Sequence, residues 1–135
     1  MKLNLKSGLQ LLQRLLAFSL LLLRYFLNRK SQVMNPELMK FVEWLLRRNL
    51  HFTVTSAFRT KEQNEACNGS ENSQHLTGDA IDLKPLDFSV DSLVFIIKDS
   101  PFKFDQLIKY RTFVHISFAR GRKPRQMELN FVNRI

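Results

Sequence analysis

Apolar residues recur along the chain in different rhythms, and each rhythm predicts a different element. Residues 9–27, LQLLQRLLAFSLLLLRYFL, are dominated by leucine, with an apolar run from Leu15 to Leu23 interrupted only by Ser19 and bounded by Arg14 and Arg24. As a helix this run covers about 14 Å, half of a hydrocarbon core, unless the two arginines snorkel. Three readings stay open: an uncleaved signal-anchor, an interfacial helix, or a leucine-rich helix packed on the domain. The polar stretch 28–34 reads as a linker. Beyond it Leu38, Phe41, Val42, Leu45 and Leu46 fall at helical spacing. Asn35 is their cap, Pro36 fits the first helical position, and Glu37 suits the positive helix end.

The rhythm then shortens. FTVTS (52–56) is β-branched and predicts a strand, and Thr60 with Gln63 has capping-box spacing for a short helix over 61–67. NGSENS (68–73) has loop composition, and AIDL (80–83) predicts a strand after a bend at Gly78. A second helix is expected over about 90–99, stopped by Pro101. FDQLIKY (104–110) and TFVHISFA (112–119) predict two strands joined tightly near Arg111, and RGRKPRQ reads as a basic turn or tail. The sum is an α+β fold, a small antiparallel sheet with helices packed on one side.

Length and charge narrow the class. A chain of 135 residues holds one compact domain. We divide it into a leucine-rich basic N-terminal segment, 1–30, and a folded domain, 35–125. The single cysteine, Cys67, excludes an internal disulfide framework. The net charge of +9 is concentrated at the two ends, while the middle of the chain is mildly acidic. Basic ends favour a polyanion such as an anionic wall polymer or a membrane surface, with a solvated surface as the plain alternative. RGRKPRQ has charge but no interleaved aromatic residue, so no nucleic-acid partner is expected, and no defined protein partner is indicated.

Candidate chemistry sits in SENSQHLTGDAIDL (70–83) and FVHIS (113–117). Strand alternation puts Asp82 on one face with Ala80, and His115 on one face with Phe113 and Ser117. Ile81, Leu83, Val114, Ile116 and Phe118 then turn toward a core. If the two strands are neighbours, Asp82 and His115 converge, and His75 can reach in from the loop before Gly78. Two imidazoles and one carboxylate make a zinc ligand set with a fourth position open. The small residues Gly78 and Ala80 leave room beside it. A lone strand histidine is more often structural than a ligand, so the set gains its force from all three together.

The three separated motifs TSAFRT, NSQHLTGDAIDL and FVHISF resemble the zinc D-alanyl-D-alanine peptidase family, which shares its fold with the signalling domain of hedgehog proteins. The resemblance covers about residues 36–120. It implies a hedgehog/DD-peptidase-like fold, Zn2+ as cofactor, and His75, Asp82 and His115 as its ligands. It implies Arg59 as a catalytic residue contacting the substrate's reacting carbonyl or carboxylate, and small hydroxyls at Ser56 and Ser73 lining the same cleft. The family places a carboxylate base three or about six residues before the last histidine. Here those positions are Thr112 and Lys109, so Asp105 is the nearest upstream candidate. Either Asp105, Tyr110 or another acid serves as base, or the domain binds without efficient turnover.

The function implied is a zinc metallopeptidase cutting peptidoglycan stem peptides, as a D,D-carboxypeptidase or endopeptidase. Its alternative is a catalytically weak zinc-containing wall-binding domain. The expected location is the cell envelope or periplasm, membrane-anchored through residues 9–27, or the cytoplasm for a phage lytic protein.

Overall fold

The computed structural model describes residues 8–17 and 34–133. Residues 18–27 of the leucine-rich segment and the linker residues 28–33 lie outside the described residues. Residues 8–17 form a helix, α1, whose Leu15 packs on the core of the domain and whose Arg14 guanidinium lies 5.6 Å from the Phe52 ring centroid. Leu9, Leu12 and Leu16 stay exposed on its outer side. Among the described residues no helix is long and apolar enough to cross a membrane.

The domain then runs α2 (Pro36–Arg47), β1 (Phe52–Ser56), α3 (Lys61–Ala66), a 3-10 turn (Gln74–Thr77), β2 (Ala80–Pro85), α4 (Val90–Asp99), β3 (Gln106–Lys109), β4 (Val114–Ser117) and β5 (Met127–Asn130). The capping signals act as read. Asn35 Oδ1 accepts from the Glu37 and Leu38 amides, and Thr60 with Gln63 forms a reciprocal capping box. The sheet order is β1-β2-β4-β3-β5. β1, β2, β4 and β3 are mutually antiparallel, and β5 adds parallel to β3. β5 is the element without a counterpart in the sequence pattern. MELN has no β-branched residue and only partly buries its side chains, so its strand state comes from pairing with β3.

Alternation divides the sheet into two working faces. Ile81 and Leu83, Leu107, and Val114 and Ile116 join Leu38, Phe41, Val42, Leu45 and Leu46 of α2 and Leu93 and Ile97 of α4 in one core. The opposite face carries Asp82, Ile108 and His115. Phe118, just past β4, closes the core against Phe41 and Phe102.

The entry to α2 and the entry to β2 are tied together. Asn35 is buried, and beyond capping α2 its Nδ2 donates to Asp79 Oδ1 at 3.1 Å and to the Phe118 carbonyl at 3.3 Å. Asp79 also accepts from Thr77 Oγ1 and Arg120 Nε, and Gly78 before it turns the chain with φ 75°. That left-handed conformation strains any residue with a Cβ. An isolated helix cap is worth about 1 kcal/mol. Asn35→Ala should therefore cost more, about 2–4 kcal/mol, because it also removes a donor from the buried Asp79 carboxylate and from the Phe118 carbonyl. Urea unfolding measures this, and a loss near that of an ordinary cap would mean the tie carries no load.

Candidate metal centre

Three elements deliver the three donors. β2 and β4 pair so that Asp82 stands directly opposite His115. His75 comes from the 3-10 turn, which Ser73 caps through its hydroxyl on the His75 amide and which Gly78 ends. The turn is stitched to the end of β1: Arg59 N donates to the His75 carbonyl at 3.0 Å, and His75 Nδ1 lies 2.6 Å from the Ala57 carbonyl.

That last contact fixes the chemistry of His75. A carbonyl only accepts, so Nδ1 carries the proton and Nε2 presents its lone pair to the site. His75 Nε2 is 3.1 Å from Asp82 Oδ1 and 3.1 Å from His115 Nδ1, and His115 Nδ1 is 3.0 Å from Asp82 Oδ1. With His115 Nδ1 also unprotonated, three acceptor atoms form a near-equilateral triangle, an arrangement that repels itself unless a proton or cation lies among them. A tetrahedral ion with bonds of about 2.0 Å has a ligand–ligand edge of about 3.3 Å, so the triangle matches one face of such a coordination shell. The residues present fit zinc in donor type, count and spacing, with His115 on the more open side.

Burial pushes the Asp82 carboxyl up, but when His115 and His75 are protonated their hydrogen bonds and charge outweigh it, leaving its pKa at about 2. Arg59 completes the carboxylate's surroundings: Nη2 donates to Asp82 Oδ2 at 3.2 Å, and Nε donates to Ser56 Oγ at 2.9 Å. A bulge between Val54 and Ser56 brings Ser56 opposite Asp82. The donors and Arg59 line an open cleft of about 580 Å³, whose other walls include Gln74, Ser73, Cys67 and the parallel-stacked rings of Tyr110 and Phe113.

Asp105 is placed elsewhere. It is not among the cleft-lining residues, and its fully buried carboxylate accepts from Arg122 Nη1 and Nη2 at 2.7 and 2.8 Å and from Arg125 Nη2 at 2.6 Å. The Arg125 amide and Gln74 Nε2 also donate to it. The Arg122 hydrogen bonds outweigh burial and, with Arg125, hold the carboxyl well below the usual carboxylate range. A group that binds protons so weakly and has both oxygens engaged is poorly suited to act as a base, and the position of Asp105 is that of a structural anion. Among the described residues Asp82 is the one carboxylate lining the cleft. Asp79 and Ser117 also lie off the cleft, the first in the α2 tie and the second buried with Oγ accepting from the Gln106 amide.

The family model for peptidase M15 matches residues 18–117, which include Arg59 and all three donors. The chain belongs to the peptidase M15 family. No curated protein matches it. M15 is the zinc D-Ala-D-Ala carboxypeptidase family, so membership implies a hydrolase, and the His75, Asp82 and His115 cluster of this M15 protein is suited to the metal that M15 peptidases use. Arg122, Arg125 and β5 lie beyond the matched span, which is why the motifs gave no sign of them.

Two outcomes follow. Purified protein dialysed against zinc should retain one ion per chain by elemental analysis, and His75→Ala should lose it while keeping the native circular dichroism spectrum. Asp105 has a folded-state pKa below its unfolded value of about 3.9, so its contribution is present above that value and is lost progressively as pH falls below it toward the folded-state pKa. Asp105→Asn should therefore lower stability at neutral pH and flatten the decline of stability between about pH 5 and pH 2, followed by urea melts across that range.

Proposed function

We propose that this protein is a zinc metallopeptidase that cleaves stem-peptide bonds of bacterial peptidoglycan, as a D,D-carboxypeptidase or endopeptidase. The observation that carries the reading is the convergence of His75 Nε2, Asp82 Oδ1 and His115 Nδ1 on one point in the floor of an open cleft, in a chain of the M15 family. Those three atoms would hold the ion. Zinc in such a set supplies Lewis acidity, which lowers the pKa of water toward 7 and polarises a carbonyl.

The rest of the work falls to the chain. The Ala57 carbonyl holds the proton on His75 Nδ1, so the imidazole cannot turn its donor face inward. Arg59 spends one Nη2 contact on Asp82 and Nε on Ser56, and its guanidinium has further N–H groups for a substrate oxygen. A planar cation there stabilises charge developing on a carbonyl oxygen or fixes a terminal carboxylate. The face opposite the core helices leaves the cleft open to an extended peptide.

One observation favours a second reading. With Asp105 locked in ion pairs, no carboxylate besides Asp82 lines the cleft among the described residues, so the proton of the attacking water has no evident acceptor of that kind. A zinc-containing domain that binds wall peptides with little turnover fits this arrangement. In either case the work site is the cell envelope. The exposed Leu9, Leu12 and Leu16 on α1, with the basic N-terminal sequence, support contact with an anionic membrane surface.

Incubation of the zinc-loaded protein with muropeptides ending in D-Ala-D-Ala, followed by mass spectrometry, separates the readings. Release of D-alanine or opening of cross-links, lost in His75→Ala and reduced by about 10²–10³ in Arg59→Met, is the expected result for the peptidase. Stoichiometric zinc with intact muropeptides leaves the binding domain.

A further inference from the structure

Two arginines clamp Asp105, and they approach it by different edges. Arg122 donates from Nη1 and Nη2, the end-on fork of its guanidinium. Arg125 comes side-on: Nε donates to both carboxylate oxygens at 3.2 and 3.1 Å, and Nη2 donates to Oδ2 at 2.6 Å. This leaves the end-on edge of Arg125, which includes both N–H groups of Nη1, without a bond to any described residue. Arg125 lines the cleft and Arg122 does not. The Arg125 side chain is 45% exposed while the Asp105 side chain is wholly buried, so the exposed surface of Arg125 faces away from Asp105. A guanidinium already held on one edge loses little further freedom when its other edge binds a ligand.

Charge says what that ligand is. Asp105 sets one negative charge against two guanidinium groups, so the cluster keeps a positive excess. Among the described residues Asp82 is the one carboxylate lining the cleft, and it is engaged by Arg59 and the two histidines. The free edge of Arg125 therefore has no acid of the cleft wall to pair with, and its parallel N–H groups match the two oxygens of a carboxylate.

The sheet separates this group from the metal site. Arg59 follows β1 and Arg125 precedes β5, the two outer strands, and the donors of β2 and β4 lie between them. β5 stands two strand spacings from β4, about 10 Å, which an extended peptide covers in about three residues. A carboxylate held by Arg125 is thus distinct from the reacting carbonyl attended by Arg59. We infer that Arg125 is a specificity-determining residue whose free edge binds a carboxylate of the peptide lying across the metal site, with Asp105 as the positioning residue that holds it. This rests on the peptidase reading and adds a substrate feature to it, recognised by a residue beyond the family-matched span.

The test compares matched peptides on the zinc-loaded full chain: acyl-D-Ala-D-Ala, its neutral C-terminal amide, and that amide preceded by a D-glutamyl residue with a free carboxylate. Affinity is read by calorimetry, or as kcat/KM for a peptide that is cut. At least one acid should be preferred over the neutral amide by about tenfold or more, and which one identifies the carboxylate as terminal or upstream. Arg125→Gln should reduce that preference to within about twofold while leaving the neutral amide unchanged. Arg122→Gln also loosens the clamp on Asp105 but should keep the preference, which a purely structural role for Arg125 would not predict. If Arg125→Gln does not fold, Arg125→Lys decides: it keeps a cation beside Asp105 but lacks the second edge, and most of the preference should go. Equal binding of acids and amide by the wild type overturns the inference and leaves the peptidase reading standing. A preference that survives in the Arg125 variant, or is lost equally in Arg122→Gln, also overturns it. Should only the L-alanyl counterparts bind, with an Arg125-dependent preference for the acid, the inference holds and the peptidoglycan reading falls. Binding of no peptide overturns both.

Discussion

The 3-10 turn Gln74–Thr77 is held at each end by a buried carboxylate, and the candidate site depends on this double anchorage. It supplies the one donor of the triad that the sheet does not. A four-residue turn has little intrinsic stability. At its start Gln74 is fastened to Asp105, and at its end Thr77 is fastened to Asp79. Each carboxylate is in turn neutralised by arginines from the segment after β4: Arg122 and Arg125 on Asp105, Arg120 on Asp79. Between these anchors the backbone of His75 is pinned to Arg59 and its ring to Ala57. The imidazole is therefore set by groups on three separate segments, the kind of support that holds a metal ligand in orientation.

The remaining two donors owe their place to the sheet. Asp82 and His115 face each other because β2 and β4 are in a register that also buries Ile81, Leu83, Val114 and Ile116. A slip of one residue would turn the apolar set to solvent and the donors into the core. The hydrophobic energy of the core thus enforces the juxtaposition of the candidate donors on the opposite face. This division also explains how a small domain keeps a polar, open cleft without sacrificing its core: α2 and α4 pack on one face and leave the other to chemistry.

Charge within the domain follows the same economy. Arginine serves both as a clamp on structural carboxylates and, through Arg59, as a cleft cation tied to Asp82 of the candidate metal site. The planar fork suits both uses, since it can engage two partners at once. Asp105 shows the consequence for function. Nearness in sequence to His115 made it the natural candidate for a base, yet proximity along the chain says nothing about which oxygens remain free.

Much of this protein was legible in its sequence. The capping residues Asn35 and Thr60, the apolar spacing of α2, the alternation in AIDL and TFVHISFA and the histidine and aspartate motifs are local signals, each written within a few residues of the element it specifies. They gave the helices, four strands, the face on which Asp82 and His115 lie, and the triad itself. What lay beyond their reach was decided by contacts between distant segments. β5 is a strand because β3 offers it an edge, not because MELN prefers to extend. Asp105 is an anchor because Arg122 and Arg125 return to it after a turn that composition marks only as basic. The orientation of the Gln74 amide follows from that same return. The sequence determined which side chains could do chemistry and on which face they stand; the tertiary structure alone determined which of their hydrogen-bonding atoms are already taken, because an ion pair between distant segments forms only once the fold has brought both partners out of water together.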